Sequence, residues 1–438
     1  MRTKAVVLTL IALSCSPRGA LAEDWARFRG PNGSGISAQK GLPETWRDGE
    51  NVAWKTPLPG PGSSSPIVSG DRVFVTCYSG YGVDRARPGD VKKLKRHLLC
   101  LNRGDGKVLW QREVPSLVDE DPYEGQITQH GYASSTPAAD DQRVFVFFGK
   151  TGVLAFDRDG QQLWRTSVGT GSARMGWGSG TSLVLHNDLV IVNANAESES
   201  IIALEKQTGR QRWKAEAKGY QGSWSTPIMV ERPGGKHEIV VLMPGEIWAL
   251  HPDDGGVLWY CTGLEGAATT SLVASEGIVY SAAGGPFGAC AAAIRAGGRD
   301  DVASSRVVWK RATGTYVPSP VVFGGHLFWV DERGTAVCLR ADTGEQVYRQ
   351  RLPGAGEVYA SPIVADGKLY AVSRRNGAFV LPAKPEFKVL AHNRLASDAS
   401  DFNASPAVSG NALLLRSNRF VYCLQVNPRP DKPPGPDA

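Results

Sequence analysis

Residues 201–213 read IIALEKQTGRQRW: an apolar run, a polar turn that ends in Gly209, and Trp213 four positions later. The same pattern recurs as LLCLNRGDGKVLW (98–110), LAFDRDGQQLW (154–164) and IWALHPDDGGVLW (247–259). AVCLRADTGEQVY (336–348) has a tyrosine in the tryptophan position, and RVVW (306–309) is a copy with a diverged turn. Short apolar runs punctuated by glycine indicate strands joined by hairpins, because glycine permits the positive φ of a tight turn.

A second phrase accompanies these copies: a Ser/Thr-Pro or Thr-Ser pair that opens an apolar run, then a turn and another apolar run. It begins at eight places, which are Ser64, Ser134, Gly180, Trp224, Thr269, Pro318, Ala360 and Ala404. Successive starts lie forty-odd residues apart, except for a gap of about 70 after the first. A period in the forties with four short strands per unit is typical of β-propellers, including WD40-like ones. We therefore predict an all-β fold, an eight-bladed β-propeller of four-stranded antiparallel blades.

The recurring aromatic residues should lie on the outer strand of each blade. An indole offers a wide apolar face and an N–H that can reach a carbonyl, so we expect these residues to dock adjacent blades. They are Trp54, Trp110, Trp164, Trp213, Trp259, Trp309 and Tyr348. The eighth unit has only three strands and ends at FVYCLQV (420–426), whereas VAWKTPLPG (52–60) supplies an unassigned strand. Pairing of these two segments would close the ring and remove an exposed edge.

The chain divides into four segments. Residues 1–22 have the basic start, short apolar stretch and Ala20-Leu21-Ala22 site of a signal peptide. An N-terminal extension (23–51), a single propeller (52–426) and a proline-rich tail expected to be disordered (427–438) follow. Lipidation at Cys15 is disfavoured, because the position three residues ahead holds Ala12 instead of a large apolar residue. We expect an exported monomer, periplasmic or associated with the outer membrane.

Composition excludes several function classes. The formal charge of +6 falls to +3 without the signal peptide, so nucleic acid is not an expected partner. No later segment approaches the ~18 apolar residues of a membrane span. The cysteines and histidines lack the spacing of zinc, redox or haem sites, and GWGSGTS (176–182) lacks the setting of a nucleophile elbow. Most cysteines lie inside apolar strands, where we expect small buried residues. Cys77 and Cys100 lie on neighbouring predicted strands and are the pair we expect if a disulfide forms.

The pattern A-x-D-x-x-T-G-x-x-x-W, matched closely by AFDRDGQQLW (155–164) and ALEKQTGRQRW (203–213), resembles the repeat named for pyrroloquinoline quinone (PQQ). That repeat builds the eight-bladed quinoprotein alcohol dehydrogenases and the non-catalytic lipoprotein of the outer-membrane β-barrel assembly machine. The opening DWARFRGPNGSG (24–35) looks like that of exported PQQ-binding-like propellers related to this lipoprotein. The resemblance implies a fold and not an activity, because the matched residues are those that dock blades.

A quinoprotein would need a cation such as Ca²⁺ with oxygen ligands beside the PQQ, and a carboxylate base. The adjacent Cys-Cys pair of those dehydrogenases is absent from the sequence, as is a haem-binding C-x-x-C-H. Glu357, Asp398 and Asp401 lie near predicted inner-strand loops, where a surface role explains each of them. We therefore expect no catalytic residue, metal or cofactor, with PQQ and Ca²⁺ as the alternative.

In a propeller, the residues just ahead of the inner strands converge at the mouth of the central channel. The candidates for a binding site there are His130, Tyr132, Arg174, Trp177, Trp224, Tyr316, Glu357, Tyr359 and Asn403. Flat amphipathic rings in such a place would capture a peptide or small ligand. The alternative is that these residues fill the channel and order its loops.

The first blade carries two insertions that should emerge on one face, a basic one at 81–97 and an acidic one at 115–131. Long loops on a rigid ring often carry function, although the basic loop could also pack on the acidic one as a lid. We predict a non-enzymatic scaffold for protein or peptide partners in the cell envelope, bound on this face or by strand addition to a blade edge. The rival is a PQQ-dependent oxidoreductase, and carbohydrate binding at the mouth is a third reading.

Overall fold

The computed structural model describes residues 24–173, 176–232 and 234–426, in which almost all regular structure is β-strand. The predicted signal peptide, the proline-rich tail and the candidate Arg174 lie outside these residues. The strands that are described form eight sheets, each built on four antiparallel strands, and two of these sheets gain a fifth strand that pairs in parallel. This arrangement confirms the predicted eight-bladed propeller.

The strands are labelled β1 to β34 in chain order. The N-terminal extension and the strand that follows it hold β1 (Ile36–Ser37) and β2 (Val52–Pro57). Blades one and two are β3 (Ile67–Ser69), β4 (Arg72–Ser79), β5 (Lys95–Asn102), β6 (Val108–Pro115), β7 (Ala138–Ala139), β8 (Arg143–Phe147), β9 (Val153–Asp157) and β10 (Gln162–Thr166). Blades three and four are β11 (Val184–His186), β12 (Leu189–Ala194), β13 (Ser200–Glu205), β14 (Gln211–Glu216), β15 (Ile228–Arg232), β16 (Lys236–Met243), β17 (Glu246–Leu250) and β18 (Val257–Cys261).

Blade five contains β19 (Val273–Ser275), β20 (Ile278–Ala283), β21 (Cys290–Arg295) and, after the short β22 (Asp300–Asp301), β23 (Val307–Arg311). Blades six and seven are β24 (Val321–Phe323), β25 (His326–Val330), β26 (Thr335–Arg340), β27 (Gln346–Arg351), β28 (Ile363–Ala365), β29 (Lys368–Val372), β30 (Ala378–Pro382) and β31 (Ala391–Asn393). Blade eight holds β32 (Ala407–Ser409), β33 (Ala412–Arg416) and β34 (Phe420–Gln425). The short helices are α1 (Ile127–His130), α2 (Asn195–Ser198) and three 3-10 turns at Pro31–Gly33, Val91–Lys93 and Gly149–Thr151.

Ring closure follows the prediction from the sequence. β2 pairs antiparallel with β34, with Trp54 opposite Cys423, and so supplies the outer strand of blade eight. The chain then runs directly from β2 into the inner strand of blade one. Blade eight is therefore built from both ends of the propeller segment, which leaves no unpaired strand at the junction.

The apolar core lies between neighbouring blades. One cluster, for example, joins Phe145 and Ala155 of blade two to Val190 and Ile202 of blade three. Five of the recurring tryptophans donate their indole N–H to a carbonyl of the next blade. Each of these carbonyls lies in the third turn of that blade, which joins its third and fourth strands. These bonds are Trp54 to Arg103 (3.1 Å), Trp110 to Arg158 (2.8 Å), Trp164 to Lys206 (2.9 Å), Trp213 to Pro252 (2.8 Å) and Trp309 to Ala341 (2.9 Å).

The contacts between blades four and five and between blades six and seven differ, because blades five and seven lack the glycine-containing third turn. In blade five that turn is replaced by a connection carrying β22, which pairs in parallel with β18. Trp259 of β18 donates instead to Glu238 Oε2 within its own blade, at 2.9 Å. In blade seven the turn is also absent, and Tyr348 meets Phe387 edge to face with ring centroids 5.7 Å apart.

Cys77 and Cys100 form no disulfide. The described cysteines are all buried and free. β4 and β5 are neighbours as expected, but their register places Cys77 opposite His97 and Cys100 opposite Phe74. The two cysteines are thus offset by three positions and face opposite sides of the blade. Cys77 packs with the last blade and Cys100 with the second.

No helix within the described ranges is long and apolar enough to cross a membrane.

Candidate functional site

A belt of hydroxyl groups surrounds the central channel. Its members are Ser65, Thr136, Ser182, Thr226, Ser271, Ser319, Ser361 and Ser405, one ahead of each inner strand. The backbone N–H of each of the first seven donates to the hydroxyl of the next member, at 2.9–3.0 Å. The recurring Ser/Thr at the start of the second sequence phrase is therefore an inter-blade hydrogen-bonding position. Its recurrence was visible in the sequence, whereas its partner was not.

The N-terminal extension closes one end of the channel. It crosses beneath the belt, where Val68 N–H donates to Trp25 O (3.0 Å) and Ala139 N–H to Ala26 O (2.8 Å). Further along, β1 pairs in parallel with β28 on the far side of the ring. Phe28 lies between these anchor points and lines the channel cavity. The sequence predicted the N-terminal extension only as a separate segment. In the structure, this extension forms the floor of the channel.

The opposite end forms an aromatic mouth. Trp177 and Trp224 are stacked, with ring centroids 4.9 Å apart, and Trp224 Nε1–H donates to Gly178 O at 2.7 Å. Tyr316 meets Trp177 edge to face at 6.2 Å. These rings and the belt enclose a cavity of about 190 Å³. The mouth is open to solvent, and its aromatic side chains are half-buried.

His130, at the end of α1, joins the acidic insertion to the Trp177 loop. Its Nε2 lies 2.8 Å from Trp177 O, and its Nδ1 lies 2.6 Å from Ser134 Oγ. A carbonyl can only accept, so Nε2 carries the proton and Nδ1 accepts from the serine. Burial lowers the pKa of His130, which favours the neutral ring. His130 therefore holds the wall of the cavity in place.

A buried arginine organises the wall formed by blades seven and eight. The Arg374 side chain stacks on Tyr359, with Cζ 4.4 Å from the ring centroid, and donates to Asn403 Oδ1 at 2.9 Å. It also forms ion pairs with Asp401 (2.9 Å) and Glu357 (3.1 Å). Tyr359 and Asn403 are thereby held at the cavity surface, while both acids are turned toward the arginine.

The two insertions of blade one pack against each other. Tyr81 of the basic loop contacts Tyr123 of the acidic loop and Tyr132 just after that loop, with ring centroids 6.3 and 5.7 Å apart. Arg96 and Glu120 form a buried ion pair of 2.8 Å. Gln129 of the acidic loop then reaches across the channel, where its side-chain oxygen accepts from Arg374 at 2.9 Å. The insertions form a braced rim around the mouth.

The structure brings together six of the nine predicted mouth residues. Those that line the cavity are His130, Trp177, Trp224, Tyr316, Tyr359 and Asn403. Tyr132 lies in the tyrosine cluster instead, and its hydroxyl donates to Asp121 O at 2.8 Å. Glu357 pairs with Arg374 outside the cavity lining. A binding role for any of these residues stays a prediction, and Arg174 lies outside the described residues.

Comparison with known proteins identifies the family. A family model described as outer membrane protein assembly factor BamB matches residues 46–226 and 298–385, which is more than half of the chain. The chain belongs to the BamB family. BamB from Moraxella catarrhalis superposes with a TM-score of 0.59 at 14% identity, over 85% of this chain and 96% of that one. The quinohemoprotein alcohol dehydrogenase of Comamonas testosteroni gives 0.51 at 13% identity, over 95% and 82%. Both likenesses show the propeller fold.

Curated relatives of this BamB-family chain include two tetrathionate hydrolases. That of Acidianus ambivalens is 29% identical over 132 residues, 26% of this chain and 24% of the relative. That of Acidithiobacillus ferrooxidans is 25% identical over 149 residues, 33% and 27% respectively. The chain thus spans about a quarter of the length of the curated relatives it matches.

A site for PQQ with Ca²⁺ would need oxygen ligands for the cation in the cavity of this BamB-family propeller. No Asp or Glu is found among its described lining residues, so it lacks carboxylate ligands, and its side-chain oxygens are those of hydroxyl and amide groups. Within the described ranges, no three His, Cys, Asp or Glu side chains cluster as metal ligands would. Asp401 pairs with Arg374 and Arg375, Glu357 pairs with Arg374, and Asp398 accepts from Tyr422 at 2.9 Å.

One buried acid lies beside the mouth. Glu197 of α2 is 4% exposed, and its Oε1 accepts from the hydroxyl of Ser179, two residues after Trp177. Its Oε2 is buried without a hydrogen-bond partner in the described chain. Burial raises the pKa of Glu197 to about 7, in spite of the Ser179 hydrogen bond. The side chain is an internal anchor of the Trp177 loop.

Proposed function

We propose that this protein is an exported, non-enzymatic scaffold of the cell envelope that binds a protein or peptide partner as a monomer. The observation that carries this proposal is the asymmetry of the channel. One end is closed by the chain's own N-terminal segment, and the other is an open aromatic mouth on a braced rim. Aromatic rings in partly desolvated pockets are frequent anchors of protein partners.

The surface around the mouth supports the same proposal. Strand-two to strand-three loops and the connections between blades all emerge on this face. Three of its loops carry exposed apolar side chains, namely Val83, Leu117 and Phe287, whose exposed fractions are 54%, 66% and 62%. Single exposed apolar side chains are common on protein surfaces, and these three mark positions on the mouth face where contact with a partner can be tested. BamB, the protein that gives the family its name, is described as an outer membrane protein assembly factor, which agrees with a role in the envelope.

Site-specific photocrosslinking in intact cells tests the proposal. A photoreactive amino acid is placed at Leu117 or Phe287 on the mouth face, and at Asp254 in an exposed turn of the opposite face as the matched control. We expect discrete protein adducts from the first two positions and none from the third. Equal labelling from all three positions, or no adduct from the mouth face, would overturn the proposal.

A further inference from the structure

The channel floor contains two arginines, Arg27 and Arg29, that form no ion pair with an acid of the described chain. Arg29 is fully buried, and its Nη2 donates to Pro320 O at 2.5 Å. Its Nε and Nη1 are also buried, and neither has a partner among the residues that the structure describes. Arg27 repeats the arrangement, with Nη2 donating to Pro227 O at 3.2 Å and a buried Nε that the described chain leaves unpaired.

Both side chains carry charge at neutral pH. Burial lowers the pKa of Arg29 to about 9 and that of Arg27 to about 10, and no neighbouring carboxylate opposes the shift. A buried charge is normally paired, because removing it from water is costly. The fully buried guanidinium group of Arg29 and the half-buried side chain of Arg27, on either side of Phe28, therefore leave an excess of positive charge at the floor.

The hydroxyl belt adds further donors at the same level. The carbonyls that hold Arg27 and Arg29 belong to the residues directly after Thr226 and Ser319, which are belt members. Seven belt hydroxyls already accept a backbone N–H, so each keeps its own O–H to donate. The eighth, Ser65 Oγ, is buried without any partner in the described chain. The belt thus presents eight hydroxyl donors around the cavity.

The size of the cavity limits what could use these donors. Its volume is about 190 Å³, and a protein cavity of ~150 Å³ is sufficient to bind benzene. One aromatic ring with a small anionic substituent fits this space. The Trp177 and Trp224 rings offer a stacking surface toward the mouth.

We infer that the channel binds an aromatic carboxylate, with its ring among the mouth tryptophans and its carboxylate directed to the hydroxyl belt above Arg27 and Arg29. This goes beyond the proposed scaffold role, since the site can be filled with or without a protein partner. Two kinds of ligand carry an aromatic ring and a carboxylate of this type. One is a free aromatic acid, and the other is the C-terminus of a peptide that ends in an aromatic residue.

Calorimetric titration of the mature chain tests the inference, with quenching of tryptophan fluorescence as a second readout. Phenylacetate is compared with the neutral phenylacetamide, and a short peptide ending in phenylalanine is compared with its C-terminal amide. We expect saturable binding of at least one carboxylate and at least tenfold weaker binding of its amide. Preference for the peptide acid over phenylacetate assigns a protein C-terminus, and the reverse preference assigns a free acid. Equal affinity for acid and amide, or no binding of either acid, would overturn the inference.

Two variants connect binding to the floor. Arg29→Gln removes a charge from the floor below the cavity lining and should weaken carboxylate binding at least tenfold. Arg295→Gln changes an exposed arginine that is not part of the floor and should leave binding unchanged. Because Arg29→Gln could impair folding, Ser65→Ala provides a second test. Ser65 Oγ takes part in no internal hydrogen bond of the described chain, so its removal should preserve the fold and weaken the carboxylate several-fold. Unchanged affinity in Ser65→Ala and in folded Arg29→Gln would contradict the assignment.

Crosslinking at the mouth is measured separately from carboxylate binding, so failure of one proposal does not imply failure of the other.

Discussion

Some charged residues in the interior of this propeller form ion pairs, and others do not. Arg96 meets Glu120 and Arg374 meets Asp401, so each of these arginines is compensated. Glu197 has a serine hydroxyl on one oxygen and, within the described ranges, nothing on the other. A carboxyl group in this situation favours its protonated form, which makes the stability of the protein depend on pH near neutrality.

Glu197→Gln should make the protein more stable above pH 7 and flatten its pH profile. The folded-state pKa is raised from 4.5 to about 7, so the folded state binds the proton more tightly than the unfolded state. The free energy of unfolding is therefore highest below pH 4.5 as far as this group is concerned, and falls as pH rises to about 7. Each pKa unit is worth ~1.4 kcal/mol, which gives a loss of roughly 3 kcal/mol. Urea unfolding of the parent protein and the variant between pH 4.5 and 8 measures this loss of unfolding free energy.

The control for this prediction is Glu199→Gln in the same connection. Glu199 is half-buried, and hydrogen bonds from Gln221 and Gly219 hold its pKa below the ordinary value. Its removal should leave the decline between pH 4.5 and 7 intact. The assignment of the decline to Glu197 fails if both variants behave alike.

Among structural elements, the third turn of a blade is matched to the tryptophan of the blade before it. Gly209 has φ +71°, and a Cβ built there would lie 2.6 Å from the ring of Trp164. The same turn accepts the Trp164 indole N–H through Lys206 O. Glycine is thus needed at this position for backbone conformation and for the close approach of the ring.

Gly209→Ala should destabilise the protein more than Gly219→Ala. Gly219 has φ +85°, but a Cβ there would have nothing within 4 Å. Left-handed backbone costs ~1–2 kcal/mol for a residue with a Cβ, so both variants bear this cost. Gly209→Ala should lose a further 1–3 kcal/mol, roughly, from overpacking against Trp164. Equal midpoints of urea unfolding would refute the docking role given to this turn.

At the level of the whole molecule, closure of the ring depends on β2. A chain that begins at residue 59 lacks this strand, which leaves the β34 edge unpaired, and we expect it to self-associate. A chain that begins at residue 49 also loses the channel floor but keeps β2, and we expect it to stay monomeric. Size-exclusion chromatography with light scattering distinguishes the two. Two monomeric chains of equal thermal stability would show that β2 is dispensable for closure.

The candidate site was predictable only in part. Residues ahead of the inner strands must lie near the channel axis, which is why Trp177, Trp224, Tyr316 and Tyr359 were located from the sequence. Tyr132 obeys the same positional rule, yet the tyrosine cluster of the blade-one insertions holds it away from the cavity. The choice between channel and cluster depends on long loops, whose packing has no sequence period.

The sequence by itself determined the eight-bladed ring, its closure by β2 and the docking positions, because each blade repeats the same local pattern and contacts only its neighbours. Only the tertiary structure decided what fills the channel. Phe28 and Arg29 lie almost three hundred residues before Pro320, and only the folded ring brings them beneath the belt. The recurring Ser/Thr position could also be recognised in the sequence. Its hydrogen-bond partner could not, because that partner lies in a neighbouring blade, forty-odd residues away. Local repetition therefore fixed the scaffold, and contacts between distant segments fixed the site.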